Sequence, residues 1–387
     1  MSWQDLVDEA VSFRHELHAH PELPWQERET ARRIRAQLDA AGIPWRVCAD
    51  TGTLATLAAD APGRHVALRG DIDALPINED SGVPWASTHG GCMHACGHDG
   101  HAATLLAAGR WLKAREAQLP GPVTLVFQPA EEGGHGAQKM IEDGALAGVD
   151  CIFGWHNWPA IAYGQAVCPD GAVMSANGTF RITVQGRGGH ASQPELCRDP
   201  VLAGSAITVA LQQIVARRLA PQQAAVVSLT SFNAPSGDTV IPNAARLAGS
   251  IRLSDSALRE ELEARISEIA TATAQAYGVT AEVEHIRRYD ATVNDAGAAA
   301  EMRAALAAEL GPQWQAQNLR LPIMASEDFS YYQREIPGAF ALIGAGQGTG
   351  EDWPCHSPHY DFNDALIAPV MRVYSRLAGL PPEDRPG

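Results

Sequence analysis

Thirteen consecutive residues, His89–His101 (HGGCMHACGHDGH), hold four His, two Cys and one Asp. Imidazole and thiolate are good ligands for zinc-like cations, and glycines let the backbone fold around an ion. Cys96 and His98 stand two apart where a loop meets a helix. A turn with incidental polar residues is the plainer alternative, and the density of donors argues for a metal site. Not all four His can be ligands. His89 and His101 are expected to support the site or to lie exposed on the helix, and Asp99 to accept from a ligand imidazole.

Other groups could complete such a site. Glu131-Glu132-Gly133-Gly134 follows the apolar run Val123–Phe127. Adjacent carboxylates point in different directions, so one can bind a cation while its neighbour holds a water as general base. The competing reading is a solvated acidic turn. His156, in Gly154-Trp155-His156-Asn157, follows the apolar run Cys151–Phe153 and is a further donor. In Cys355-His356-Ser357-Pro358-His359 either His could be a ligand, and Cys355 as well. Asp71-Ile72-Asp73 ends a short strand, and carboxylates at alternate positions share a face. They could bind a cation or orient a bound His; helix capping is the competing role for Asp73. Gly186-Arg187-Gly188-Gly189-His190 ends a strand in a glycine-rich turn, Asn243 follows Ile241-Pro242, and Arg252 ends another strand. An Arg there could clamp a carboxylate by a bidentate pair.

These residues need a scaffold. Leu6, Val7, Ala10, Val11 and Leu17 recur at helical spacing until Pro21, and a second helix is expected over about Glu27–Ala41. Apolar runs at Thr53–Ala58, His65–Leu68 and Val123–Phe127, with a helix after Asp99, predict an α/β sheet of largely parallel character. The pattern changes near Gly171. An alternating strand, Gly178–Gln185, is followed by a helix over about Pro200–Leu219, strands Ala225–Asn233 and Ala245–Leu253, a helix capped by Ser254 and running to about Tyr277, and a strand Thr280–Arg287. The order β-α-β-β-α-β is the split βαβ, ferredoxin-like pattern. We therefore read residues 175–288 as an inserted α+β domain, and residues 1–174 with 289–387 as the α/β domain around it. PGAFALIGAG is expected as a buried strand, and a terminal helix over about Asp364–Leu377.

Composition narrows the function class. Hydrophobic residues are 45% and charged residues 19% of 387, a packed globular composition. The net charge of −16 repels phosphate backbones and anionic lipid surfaces, so neither nucleic acid nor a membrane is expected as a partner. No apolar run reaches ~18 residues. Seven Cys make no disulfide scaffold, and the charged first twenty residues lack a signal-peptide core. The expectation is a cytoplasmic protein with reduced thiols. Neither a GxGxxG after a strand nor a Walker loop is present.

Nine segments in register resemble the M20 metallopeptidase family over nearly the whole chain, and within it the amidohydrolase branch of hippurate hydrolases, N-acyl-amino-acid amidohydrolases and plant auxin-conjugate hydrolases. They are FRHELHAHPEL, LRGDIDALPI, MHACGHDGHAATLL, FQPAEEGGHGAQKMIEDGAL, GWHNWP, GRGGHAS, IPNAARLAGSIR, SEDFSYY and CHSPHYDFND. The resemblance implies a zinc-exopeptidase-like catalytic domain with two divalent ions, Zn2+ or Mn2+, with Co2+ or Ni2+ as alternatives. Cys96 matches the bridging thiolate, His98 and His156 complete one site, and Glu132 and His356 the other. Glu131 matches the general base and Asp73 the Asp supporting the metals. Asp71 stands where other branches carry His, and Cys355 where Leu is usual. The inserted domain resembles a lid that also forms a homodimer contact, with a tetramer as the alternative. His190 matches a lid His that reaches the substrate carbonyl, in many members from the partner subunit. Asn243 and Arg252 match positions near the substrate carboxylate. The implied reaction is hydrolysis of an N-acyl amino acid to a carboxylic acid and an amino acid; a dipeptidase or N-acetyl-diaminopimelate deacetylase of the same family is the alternative.

Overall fold

The computed structural model describes residues 2–317, 319–348 and 352–382; the last five residues of the expected α/β domain, 383–387, lie outside them. Two compact units are present. One comprises Met1–Val173, Thr292–Arg320 and Asp328–Gly387, within the described residues. The other comprises Met174–Ala291 and Leu321–Glu327. The short segment Leu321–Glu327 joins the second unit from far along the chain, which no local pattern signals.

The first unit is built on a seven-stranded mixed sheet. Its order is Trp45–Cys48, Gly52–Leu57, Val123–Gln128, Val66–Asp71, Cys151–Ala162, Gly338–Gly346 and Ala166–Val167. The four central strands, from Val123–Gln128 to Gly338–Gly346, run parallel, and the outer pairings are antiparallel. Val66–Asp71, Val123–Gln128 and Gly338–Gly346 are buried at every position. A sheet covered on both faces selects such unbroken apolar runs.

Helix Trp3–Ala19 opens with a capping box, the Ser2 hydroxyl accepting from Asp5 N–H and the Asp5 carboxylate from Ser2 N–H. It buries Leu6, Ala10, Phe13 and Leu17. Helix His98–Lys113 packs on it, on Val66–Asp71 and on Ile367–Leu377. Because neighbours surround it, fourteen of its sixteen residues are buried. His101 is among them, so it does not lie exposed; His89 does, in the preceding loop.

Parallel strands put their C-terminal ends along one edge, where α/β proteins carry their sites. Register places Asp71 beside Gln128 and Leu68 beside Phe153. His156, three residues past Phe153, therefore reaches the level of Asp71. The strand does not stop at Phe153 as the apolar run suggests; pairing with Gly338–Gly346 carries it on to Ala162.

The second unit is a four-stranded antiparallel sheet in the order Ala225–Asn233, Ala244–Leu253, Ala176–Gln185, Thr280–Arg287. Helices Pro200–Leu211 and Arg259–Ala276 pack together and cover it, which completes the βαββαβ pattern. Phe180, Ile182, Val184, Leu247, Ile251, Leu253, Ile207 and Leu262 fill the core between. Two boundaries differ from expectation. The first helix stops at Leu211 and passes into one wide turn, Ile214–Arg218, where successive exposed side chains give no apolar face to continue it. Asp255 replaces Ser254 as the cap: its carboxylate accepts from Ala257 N–H and opens a tight turn ahead of Arg259–Ala276.

Candidate metal centre

Cys96 lies at the middle of the cluster. Its Sγ is 3.3 Å from His156 Nε2 and 3.3 Å from His356 Nε2. His356 Nε2 is in turn 3.1 Å from Glu132 Oε1. Among the donor sets of the described residues that fall within 4.8 Å are Cys96–His98–His156, Cys96–Glu132–His356 and His98–Glu131–Glu132. Cys96 is common to the first two, the position a bridging ligand occupies. The six residues of these three sets belong to the first unit.

The loop that presents Cys96 has little freedom. Gly97 holds φ at +93°, and a Cβ there would stand 2.4 Å from Asn157 Oδ1 and 2.6 Å from the Tyr360 hydroxyl. Only glycine fits. Gly97 then starts helix His98–Lys113, so His98 is set by the helix itself. His98 Nδ1 lies 2.9 Å from the Asp73 carbonyl oxygen and 3.2 Å from Asp73 Oδ1. Both are acceptors, so the ring proton sits on Nδ1 and the Nε2 lone pair faces the cluster. That Nε2 is buried with no hydrogen-bond partner. His156 repeats the arrangement: Nδ1 is 2.6 Å from the Asn157 carbonyl, leaving Nε2 for Cys96 and a cation. His356 has φ +70°, and its N–H donates to Ala95 O at 2.7 Å, which ties it to the Cys96 loop.

Electrostatics fit a cation. Burial works against charge on His98, yet the carboxylates of Asp71, Asp73 and Glu132 outweigh it and raise its pKa, so this negative field favours a proton on Nε2 until a cation takes its place there. Burial and the imidazoles of His101 and His98 push His156 down, which keeps it in the neutral form that ligates. A hydrogen bond from the Cys96 thiol to Cys355, burial and the carboxylates of Glu132 and Glu131 raise the Cys96 pKa; a divalent ion would supply the charge that ionises it. The 3.3 Å sulfur–nitrogen separations are close to the ~3.5 Å edge of a tetrahedron with ~2.3 Å sulfur and ~2.0 Å nitrogen bonds. The residues present therefore fit a metal.

The neighbouring carboxylates are placed differently from expectation in one case. Asp99 does not support a ligand imidazole. It turns away to Arg14 Nε at 3.0 Å and His18 Nδ1 at 2.8 Å, because the first helix packs on that face. Asp73 orients His98 instead. Asp71 accepts from Arg69 and stands 2.6 Å from His101 Nδ1, and 3.5 Å from His98 Nε2. His101 Nε2 meets Asn157 Oδ1 at 2.7 Å, and Asn157 Nδ2 donates to the Tyr360 hydroxyl at 2.7 Å. This buried chain, with Arg69, Gln128 and Asp328, forms the floor of the cluster, and composition or periodicity points to none of its pairings. Asp328 N–H also reaches Glu131 Oε1 at 3.3 Å. The one signal for Asp328 in the sequence is the SEDFSYY segment.

The remaining candidates belong to the second unit. His190 is exposed, and its Nδ1 accepts from Ser192 N–H at 3.1 Å. Asn243 Oδ1 accepts from Gly188 N–H at 2.9 Å, which pins the turn leading to His190. Arg252 is half-buried, donates to Ser326 Oγ at 2.6 Å, and loses basicity through burial and the nearby Arg288.

Known proteins resemble this chain in sequence and fold. Residues 67–379 match the model of peptidase family M20/M25/M40. The chain is 39% identical over 364 residues to the N-acetyl-L-cysteine deacetylase of Bacillus subtilis, covering 94% of this chain and 85% of that one. It is 36% identical to the hippurate hydrolase of Campylobacter jejuni, covering 97% of each. Its fold superposes on the crystal structure of the Bacillus subtilis YXEP protein, described as a dinuclear metal-binding peptidase of the M20 family, with TM-score 0.83, 32% identity and coverage of 97% of this chain and 98% of that one. The chain belongs to peptidase family M20/M25/M40 and is a metal-dependent amidohydrolase of that family.

Proposed function

We propose that this enzyme hydrolyses N-acyl amino acids at a two-cation centre. The observation that carries the reading is Cys96 Sγ at 3.3 Å from both His156 and His356, with the carboxylates of Glu131 and Glu132 at the same cluster. Cys96, His98 and His156 would hold one cation, and Cys96, Glu132 and His356 the other. Zn2+ and Mn2+ suit this donor set, and Co2+ and Ni2+ follow. When bound, the ions polarise the scissile carbonyl and acidify a water.

The chain's own residues do the rest. Glu131, buried among carboxylates and cation ligands, takes the proton of the attacking water and returns it to the departing amine nitrogen. Asp73 keeps the His98 lone pair aimed at the cluster. His190 donates to the carbonyl oxygen as negative charge develops. Asn243 and Arg252 receive the substrate carboxylate, Arg252 through charge-assisted hydrogen bonds.

Residues 175–288, most of the second unit, serve as lid and dimer contact, with residues 1–174 and 289–387 as the catalytic domain. Two features support a second copy as its partner. Val201, Leu202 and Val209 are exposed on helix Pro200–Leu211, and Val226 and Phe232 are exposed on Ala225–Asn233, an edge strand. A cytoplasmic location suits the free thiols of Cys48, Cys92, Cys96, Cys151, Cys168, Cys197 and Cys355. No helix among the described residues is long and apolar enough to cross a membrane.

The test is turnover of a panel of N-acetyl- and N-benzoyl-amino acids by wild type and Glu131→Gln, with metal content measured on both. The reading expects wild-type turnover and a loss of about 10²–10⁴-fold in the variant at unchanged metal content. A fully metallated wild type that cleaves dipeptides or N-acetyl-diaminopimelate instead overturns the substrate assignment.

A further inference from the structure

Glu27 is fully buried although nothing in the reaction calls on it. It stands at the start of helix Arg28–Ala40, where an acidic residue would ordinarily cap the free N–H groups. It does not cap. Glu22 does so, its carboxylate accepting from Glu29 N–H at 3.2 Å and Thr30 N–H at 2.8 Å. Glu27 is thereby free to turn inward. Its Oε1 accepts from Ala130 N–H at 2.9 Å and its Oε2 from the Thr51 hydroxyl at 2.8 Å, all within the first unit.

Ala130 is the residue before Glu131, and its φ is +53°. That conformation is strained for a non-glycine residue and persists only where surrounding contacts impose it. On the other side of Glu131, Glu132 N–H donates to Asp73 Oδ2 at 2.9 Å. Two buried carboxylates thus hold the backbone N–H groups immediately before and after Glu131. The turn is closed behind them by Gly136 N–H to Ala130 O at 3.1 Å.

We infer that Glu27 is a positioning residue: by clamping Ala130 N–H it holds the Glu131–Glu132 turn in the conformation that sends one carboxylate to the substrate water and the other to the cation. The inference rests on the reading of Glu131 as the base. It acts through two accepted hydrogen bonds, so an amide can replace the carboxylate. In Glu27→Gln the amide oxygen accepts from Ala130 N–H, and the amide NH2 donates to the Thr51 hydroxyl, which can also accept. A side chain of similar length without acceptors cannot.

The experiment compares Glu27→Gln, Glu27→Met and Glu27→Met with Ala130→Gly, beside Glu131→Gln. Readouts are kcat and KM, metal content, thermal midpoint, and hydrogen–deuterium exchange of the peptide spanning residues 128–137. The expected result is a fall in kcat of about 10–100-fold for Glu27→Met at unchanged KM and metal content. Glu27→Gln stays within about threefold of wild type. Ala130→Gly recovers part of the loss, because glycine adopts the positive φ without the clamp. Exchange quickens in the two variants that carry Glu27→Met and not in Glu27→Gln. Wild-type kcat in Glu27→Met while Glu131→Gln is inactive would overturn the inference and leave the base reading intact. So would equal loss in the Gln and Met variants, or loss that follows metal content or thermal midpoint. Full activity of Glu131→Gln overturns the base reading instead, and exchange then decides the clamp alone: equal exchange in all variants refutes it.

Discussion

Cys96 Sγ and His156 Nε2 lie 3.3 Å apart although sixty positions separate them in the chain. Each is held from behind, Cys96 by the Gly97 turn and His156 by its own Nδ1 contact to Asn157 O. The pair is one edge of the donor cluster, and Cys96 shares a second edge with His356. Replacing the thiol should therefore affect both cation positions at once. Cys96→Ser offers a hydroxyl that does not ionise near neutrality. Metal content is expected to fall well below wild type at both positions together. Elemental analysis after dialysis checks this, and loss of one ion with full retention of the other would show that Cys96 does not bridge.

Asp73 serves two partners with different oxygens. Oδ1 faces His98 Nδ1 and Oδ2 accepts from Glu132 N–H. An amide has one acceptor oxygen, so Asp73→Asn leaves one of them facing an NH2 group. Metal affinity should weaken by about 10–100-fold. Titration against a competing chelator measures it; an unchanged affinity would mean that the Asp73 carbonyl alone orients His98.

Gly97→Ala tests the loop. The added Cβ would meet Asn157 Oδ1 at 2.4 Å, and the backbone sits at φ +93°. A cost of about 1–3 kcal/mol is expected, seen as a lower denaturation midpoint, together with weaker metal binding because Cys96 is displaced. A variant with wild-type stability and affinity would contradict the stated geometry.

A pH effect is expected away from the metals. Burial alone would lower the pKa of His18, but Asp99 at 2.8 Å and a hydrogen bond to Glu79 hold it up to about 9 from 6.5. The folded pKa is above the unfolded one. The charged ring therefore contributes its full stabilisation below pH ~6.5, and the contribution fades as pH rises through about 9. The two pKa values correspond to ~3 kcal/mol at most. Urea midpoints of wild type and His18→Gln should differ clearly at pH 6 and converge by pH 10. A difference independent of pH would assign His18 a packing role only.

The residue types able to bind a cation are legible along the chain, because their chemistry is local: four His and two Cys within thirteen residues, an acidic pair after a buried strand, a His-rich segment near the C-terminus. Alternating and continuous apolar runs likewise disclose the strands, since burial on one or both faces imposes them directly. Partners are another matter. Cys96 meets His356 across 260 positions, and Ala130 meets Glu27 across 103. Spacing and periodicity say which face of an element is buried and nothing about which side chain lies opposite. Asp99 shows the consequence: beside His98 in sequence, it is carried round the helix to Arg14 and His18, while Asp73 arrives from another strand end to do the work expected of it. Sheet register and helix packing decide these pairings, because a hydrogen bond needs its two atoms within about 3 Å and only the folded chain sets that distance.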